Sequence, residues 1–288
     1  MKSQSAVGPI LVIAALAVVG YFGWQYWSAS NRAQLAEAPG ASPSDQPDAP
    51  AQPAFPIEEV AVAPEADAPA EPLPDLAESD SAALEALAGV IGEEQPPAVI
   101  LGEHIVERIV VSIDNLTRRQ LPPRGLPVRT ADGPLLTATD PSGVTVIDER
   151  NFARYADYMA LVEALDVDAA VAQYVRAYPL FQQAYRELGY PDRHFNDRLV
   201  AVIDHLLAAP TPNLPIALVP EKAGYTYADP ALHSASAGHK MLIRIGPDNA
   251  AVVKAKLRAL RDALAGQAPL VEPASDDAPA EEEGTEAG

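Results

Sequence analysis

The chain has 288 residues, of which 48% are hydrophobic and 21% charged, and its formal net charge at pH 7 is −20. The absence of cysteine excludes a disulfide framework, a thiolate metal site and a cysteine nucleophile, and the acidity argues against nucleic-acid binding, which relies on basic side chains that neutralise phosphates. Residues 33–82 carry −11 and residues 268–288 carry −7, whereas residues 83–267 carry only −4. We therefore expect a nearly neutral domain between two acidic segments.

The N-terminal apolar run has the length of a membrane span. No charged residue occurs from Ala6 to Trp27, and about 20 apolar helical residues cross a hydrocarbon core of about 30 Å. We predict a short cytoplasmic N-terminus at 1–6 and an uncleaved transmembrane helix at 7–27. The alternative is a cleaved signal peptide, but the apolar run is longer than the roughly 7–15 residues typical of a signal-peptide core.

The orientation of this span follows from its flanking charges. Lys2 and the α-amine precede the run, and only Arg32 follows it closely. Because basic residues favour the cytoplasmic side, we expect the N-terminus inside and the C-terminal domain outside. The absence of cysteine is compatible with a bacterial periplasm, so the localisation we expect is the inner (cytoplasmic) membrane, with the domain in the periplasm.

The segment that follows the span has the composition of a tether. Residues 33–82 contain ten prolines and eleven Asp or Glu residues, but no Lys or Arg. Such a segment buries too little apolar area to offset its ordering entropy. We therefore predict a disordered acidic tether at 28–82, and by the same composition a disordered acidic tail at 267–288.

The region at 83–266 is predicted to be one folded domain of the helix-dominated α+β class. Apolar periodicity and capping residues predict helices over 82–90, 102–113, 149–165, 168–188, 194–207 and 247–264. The fourth and fifth are joined by Gly189 and Pro191 and form a helical hairpin. Extended runs at 134–139 and 144–147 flank the turn residues of a small β-hairpin, and further extended pieces are expected at 216–219 and 225–228.

Three separated blocks of the domain carry a family resemblance. They are VVSIDNLTRRQLP (110–122), YPLFQQAYRELGYPDRHFNDRLVAVIDHLLAAP (178–210) and IRIGPDNAAVVKAKLRALR (243–261). Together they resemble the bacterial family known as domain of unknown function 3014, over roughly residues 83–265. The resemblance implies an N-terminal membrane span and a variable linker. It implies no activity, cofactor or catalytic residue.

Gln182 is the most unusual residue of the helical hairpin. At 100° per residue it lies on the apolar side of its helix, so its amide must find hydrogen-bonding partners. Asn196 lies at a similar height on the returning helix and is the expected partner. The pair is either a structural clamp or part of a polar pocket, and the aromatic stripe beside it is expected to be core (Tyr174, Tyr178, Phe181 and Tyr185).

The acidic and histidine residues of the returning helix do not form a metal site. His194 and His205 share a side of the helix but lie eleven residues apart, roughly 16 Å along its axis. At 100° per residue, Asp197 and Asp204 point about 60–100° away from them. We interpret this side as solvated and expect no metal and no cofactor.

Two basic clusters remain within the domain. One lies in a loop (Arg118, Arg119, Arg124 and Arg129), and the other lies on the last helix (Lys254, Lys256, Arg258 and Arg261). Each cluster can either dock an anionic partner or pair with acidic residues of the same chain.

No convergent catalytic set is found, since G-x-S-x-G, G-x-G-x-x-G and P-loop patterns are all missing from the sequence. We therefore favour a membrane-tethered binding module for an envelope protein or a cell-wall component. The alternative is an envelope hydrolase. The candidate polar site is the same in both interpretations and comprises Gln182, Tyr185, Arg186, Asn196 and Asp197; Arg118, Arg119 and Arg124 are further candidate binding residues. The sequence does not specify an oligomeric state.

Overall fold

The structure, a computed structural model, describes residues 52–60, 72–93, 100–121, 126–129, 134–221 and 224–265. The predicted transmembrane helix at 7–27 and the predicted tail at 267–288 lie outside these residues. Within the described ranges, no helix combines the length and the apolar character needed to cross a membrane.

Helices dominate the described residues. In chain order they are α1 (Asp80–Val90), α2 (Ile105–Leu116), α3 (Arg150–Ala153), α4 (Ala156–Ala164), α5 (Val167–Glu187), α6 (Phe195–Leu207), α7 (Pro230–Ser234), α8 (Ala237–Arg244) and α9 (Pro247–Leu264). Two antiparallel hairpins pair β1 (Thr137–Thr139) with β2 (Thr145–Ile147) and β3 (Leu218–Glu221) with β4 (Gly224–Tyr227). The helix-dominated α+β class is confirmed, with a second small hairpin where the extended pieces at 216–219 and 225–228 were predicted.

The core forms around the helical hairpin of α5 and α6, against which α2 and α9 pack. Phe181 and Phe195 are among the largest fully buried side chains, and their rings stack with centroids 5.6 Å apart. Burying a large apolar side chain is worth about 1.5–3 kcal/mol. This aromatic pair therefore fixes how the end of α5 meets the start of α6.

Two predicted helix boundaries differ in the structure. The predicted helix at 149–165 is split into α3 and α4 by a turn, because the N–H groups of Arg154 and Tyr155 bond carbonyls three residues back instead of four. The buried Asn151 side chain bonds the backbone N–H and C=O of Leu136 at 2.9 and 2.7 Å and so ties α3 to the residue before β1. The start of α5 is capped by Asp166, whose carboxylate accepts a hydrogen bond from the N–H of Ala169. Side-chain caps of this kind satisfy N–H groups that have no partner within the helix.

Gly238 of α8 lies in tight contact with α2 and α6. A Cβ atom at Gly238 would lie 2.5 Å from Leu206 Cδ2 and 3.0 Å from the carbonyl oxygen of Leu116. A side chain at this position would therefore require Leu206 to move and α8 to shift away from the end of α2.

Residues 52–60 and 72–82 lie within the segment that was predicted to be disordered, and here the structure differs. Val60 and Leu76 are buried. The carboxylate of Asp80 accepts hydrogen bonds from the N–H groups of His104 and Ile105, both at 2.8 Å. Average composition hides these local apolar and capping residues, so ordered contacts begin well before the predicted domain start at 83.

Candidate peptide-binding site

Gln182 lies where α5 approaches the beginning of α6. Its Oε1 accepts hydrogen bonds from the N–H of Phe195 at 2.9 Å and the hydroxyl of Tyr178 at 2.8 Å. Its Nε2 donates to the carbonyl of Arg193 at 2.8 Å. The side chain of His194, the N-cap residue of α6, makes no capping hydrogen bond. Gln182 instead caps α6 from the neighbouring helix and clamps the hairpin.

The predicted bond between Gln182 and Asn196 is wrong. Asn196 is fully buried, and its Nδ2 donates to the carbonyl of Phe55 at 2.9 Å and, at 3.4 Å, to that of Leu264. The first turn of α6 thus directs the Asn196 amide away from α5 and toward a segment 141 residues earlier in the chain.

Asp197 binds the same distant segment. Its Oδ1 accepts from the N–H of Phe55 at 2.8 Å, and its Oδ2 accepts from the N–H of Ala54 at 3.1 Å. Both carboxylate oxygens are therefore used on two consecutive backbone N–H groups. With the bond from Asn196, three backbone groups of one bent segment are satisfied by two adjacent side chains of α6.

We call residues 52–60 the docked segment. The side chains of Phe55 and Ile57 are half-buried and pack against the main core, and Val60 is buried. The backbone bends at Ala54 and Phe55, is extended at Pro56 with φ −61° and ψ 130°, and then forms a single 3₁₀ turn over Ile57–Glu59. The segment combines apolar anchors with backbone hydrogen bonds, as bound peptides do.

Neutral tyrosine hydroxyls lie near one carboxylate in this site, that of Asp197. Burial raises the pKa of Tyr178, and the negative charges of Asp197 and Glu58 raise it further. Burial also raises the pKa of Tyr174, well above its usual value. Asp197 lies in the first turn of α6, where the helix dipole favours a negative charge. The site therefore presents one carboxylate that accepts hydrogen bonds from N–H groups.

The other two residues of the predicted polar site have different environments. Tyr185 is 2% exposed and stacks on Tyr190 with ring centroids 4.6 Å apart, so it belongs to the core; burial raises its pKa to about 12. Arg186 is exposed at the edge of the site, close enough to Tyr178 for its charge to lower that residue's pKa slightly. The structure thus brings Gln182, Asn196 and Asp197 together and leaves Tyr185 out.

The predicted basic loop is used partly within the domain. Arg118 Nη2 donates to Asp114 Oδ2 at 2.8 Å, and Arg198 Nε donates to Asp114 Oδ1 at 3.0 Å. Sequence reasoning missed Asp114, a buried carboxylate that ties α2 to α6. Arg119 is exposed, and Arg124 lies outside the described residues.

The basic residues of α9 also have partners in the chain. Lys254 donates to the carbonyl of Ala209 at 2.6 Å, and Lys256 donates to the carbonyl of Leu165 at 2.7 Å. Both carbonyls lie just beyond the C-terminal end of a helix, α6 and α4 respectively. Arg261 Nε donates to Asp204 Oδ1 at 2.6 Å. Internal pairing accounts for these three side chains.

A histidine pair lies on the other side of α6. The rings of His205 and His239 stack with centroids 4.1 Å apart, and His205 Nε2 lies 2.7 Å from Ser236 Oγ, which caps α8. Burial lowers the pKa of His205, and His239 and Arg198 lower it further. Among the described residues, no group of three or more metal-ligating side chains could hold a metal ion.

The fold and the site define a helix-dominated α+β domain whose helical hairpin holds a peptide segment. The chain belongs to the family described as "Protein of unknown function (DUF3014)", whose model matches residues 105–261. This confirms the resemblance seen in the three sequence blocks. The match includes Gln182, Asn196 and Asp197 and begins after the docked segment. No curated protein and no solved structure matches the chain.

Proposed function

We propose that this chain is a single-pass membrane protein of the bacterial envelope whose domain is a non-catalytic module that binds a partner protein. The uncharged apolar run at 7–27 supports the anchor, and the charges that flank it support a periplasmic domain. The observation that carries the binding role is the capture of the backbone at Ala54 and Phe55 by Asn196 and Asp197.

A protein partner fits this site better than a glycan does. The groups that Asn196 and Asp197 bind are backbone N–H and C=O groups, which every polypeptide presents. Because these bonds involve no side chain of the bound segment, another peptide can make them equally well. Nothing in the site favours the hydrolase alternative, since Gln182, Asn196 and Asp197 are all engaged in holding backbone.

Photo-crosslinking in intact cells tests this proposal. A photoreactive amino acid replaces Arg186, which is exposed at the edge of the site, or Val219, a matched exposed position on β3. We expect a discrete adduct with another envelope protein from position 186 and none from position 219. The adduct should increase with Phe55→Asp, which disfavours the docked segment, and should be lost with Asp197→Ala. Equal adducts at both positions, or no adduct in any variant, would contradict the proposal.

A further inference from the structure

The docked segment occupies the site that the proposed function assigns to a partner. Its own residues therefore indicate which residues of a partner the site would bind. Resting on the proposed function, we infer that the site binds a peptide containing an aromatic residue followed by proline, in which the aromatic residue and the one before it both carry a backbone N–H. In the docked segment these positions are Ala54, Phe55 and Pro56. The occupant of the site in the resting chain is its own segment, and the partner's peptide replaces it.

The backbone requirement comes from Asp197. Its two oxygens accept from the consecutive N–H groups of Ala54 and Phe55 at 3.1 and 2.8 Å. Proline at either position would remove a donor and leave a carboxylate oxygen unpaired. Asp80 binds the consecutive N–H groups of His104 and Ile105 in the same two-oxygen manner, so the arrangement occurs twice in this domain.

The side-chain requirement comes from the positions that are half-buried. Phe55 and Ile57 pack against the core, whereas Ala54, Glu58 and Glu59 are exposed. Pro56 holds the backbone at φ −61°, which proline adopts without added ordering cost. The site therefore selects the aromatic residue, the proline and the aliphatic residue after it, and tolerates any non-proline residue at the position of Ala54.

The docked segment and a free peptide compete for one site. A segment that belongs to the same chain as its site meets that site at an effective concentration of about 1 mM. A free peptide must overcome this internal competitor, so it binds the unaltered chain more weakly than a chain whose segment has been displaced. For a peptide with a dissociation constant of about 10 μM, the difference is about 100-fold.

The test uses the full chain in detergent and a fluorescein-labelled peptide with the sequence of residues 52–60. Phe55→Asp in the chain displaces the docked segment by placing a second carboxylate near Asp197. We expect fluorescence anisotropy to show at least about 10-fold tighter peptide binding to this variant than to the unaltered chain. A second displacing variant, Ala54→Pro, should behave in the same way, and far-ultraviolet circular dichroism should show that both variants retain their helices.

Peptide variants then separate this site from nonspecific adsorption. Proline at the position of Ala54 should weaken binding at least 10-fold, since one good hydrogen bond to a charged group is worth about that factor. Proline at the position of Gln52, whose N–H donates to no described residue, is the matched control and should leave binding unchanged. Equal binding of all three peptides would overturn the inference, and so would equal binding to the displaced and unaltered chains.

The two proposals can fail separately. If the peptides bind in the expected order while no envelope protein crosslinks at position 186, the docked segment is a purely intramolecular ligand and the proposed function is wrong. If a partner crosslinks there with the expected dependence on Asp197 while the peptides bind alike, the function stands and the inferred peptide chemistry is wrong.

Discussion

Replacing Gln182 with alanine is the sharpest test of the helical hairpin. The substitution removes three hydrogen bonds at once, to the hydroxyl of Tyr178, the N–H of Phe195 and the carbonyl of Arg193. The N–H of Phe195 belongs to the first turn of α6 and has no partner within that helix. It is part-buried, so water replaces the lost acceptor poorly.

The expected cost follows from these bonds. Loss of a helix cap costs about 0.5–2 kcal/mol, and leaving a buried donor or acceptor unsatisfied costs about 1–3 kcal/mol. Since Gln182 is half-buried, we expect Gln182→Ala to lower the free energy of unfolding by about 2 kcal/mol. Tyr178→Phe removes one of the same bonds, so the double substitution should cost less than the sum of the single ones.

Urea unfolding followed by circular dichroism at 222 nm measures these changes. Tryptophan fluorescence is unsuitable because both tryptophans lie in the N-terminal apolar run. Gln183→Ala is the matched control, because that neighbouring side chain is exposed and, among the described residues, bonds only Glu187 of its own helix, at 3.0 Å. Its cost should be below about 0.5 kcal/mol. If Gln182→Ala costs no more than this control, then Gln182 is not a clamp.

Three further predictions test the packing and charges around the hairpin. Burial lowers the pKa of His205, so as the pH falls below the ordinary histidine pKa, His205 becomes protonated in the unfolded chain before it does in the folded one. Acidification should therefore lower the urea midpoint, and it should lower it less in His205→Gln. Asp114→Ala should cost about 2–4 kcal/mol because it leaves the partly buried Arg198 without a carboxylate partner, whereas Arg118→Ala should cost under about 1 kcal/mol since that side chain is 56% exposed. The reverse order of melting temperatures would contradict the role of Asp114 in tying α2 to α6. Gly238→Ala should lower the stability by about 1–3 kcal/mol through overpacking, while Gly89→Ala, with open space around the added methyl group, should not lower it; equal midpoints would rule out the close approach of α8.

The helices of the core could be predicted because their sequence signals are local. Apolar periodicity, together with Gly189 and Pro191, placed both arms of the hairpin within about one residue of α5 and α6. The two short helices α7 and α8 were missed because neither is long enough for a periodic apolar face. Their caps were nevertheless present, since Asp229 and Ser236 accept hydrogen bonds from the first turns of these helices.

The site could be predicted only in part, because its residues meet across long sequence separations. The helical wheel correctly placed Gln182 toward the interior, but a wheel gives a direction and not a partner. Asn196 and Asp197 bind a segment more than 140 residues away, and no periodicity relates them. The local signal that was overlooked is the Phe55–Ile57 run, a short apolar island within an acidic Pro- and Ala-rich segment.

Hydrogen exchange at the amides of Ala54 and Phe55 tests most directly whether the docked segment and a free peptide share one site. In the full chain in detergent, both amides should be protected because they donate to Asp197. A saturating excess of unlabelled peptide with the sequence of residues 52–60 should abolish this protection. The amides of His104 and Ile105, which donate to Asp80 in the same manner, should stay protected and serve as the internal control. Protection of Ala54 and Phe55 that persists at every peptide concentration, or that is missing from the start, would contradict the account.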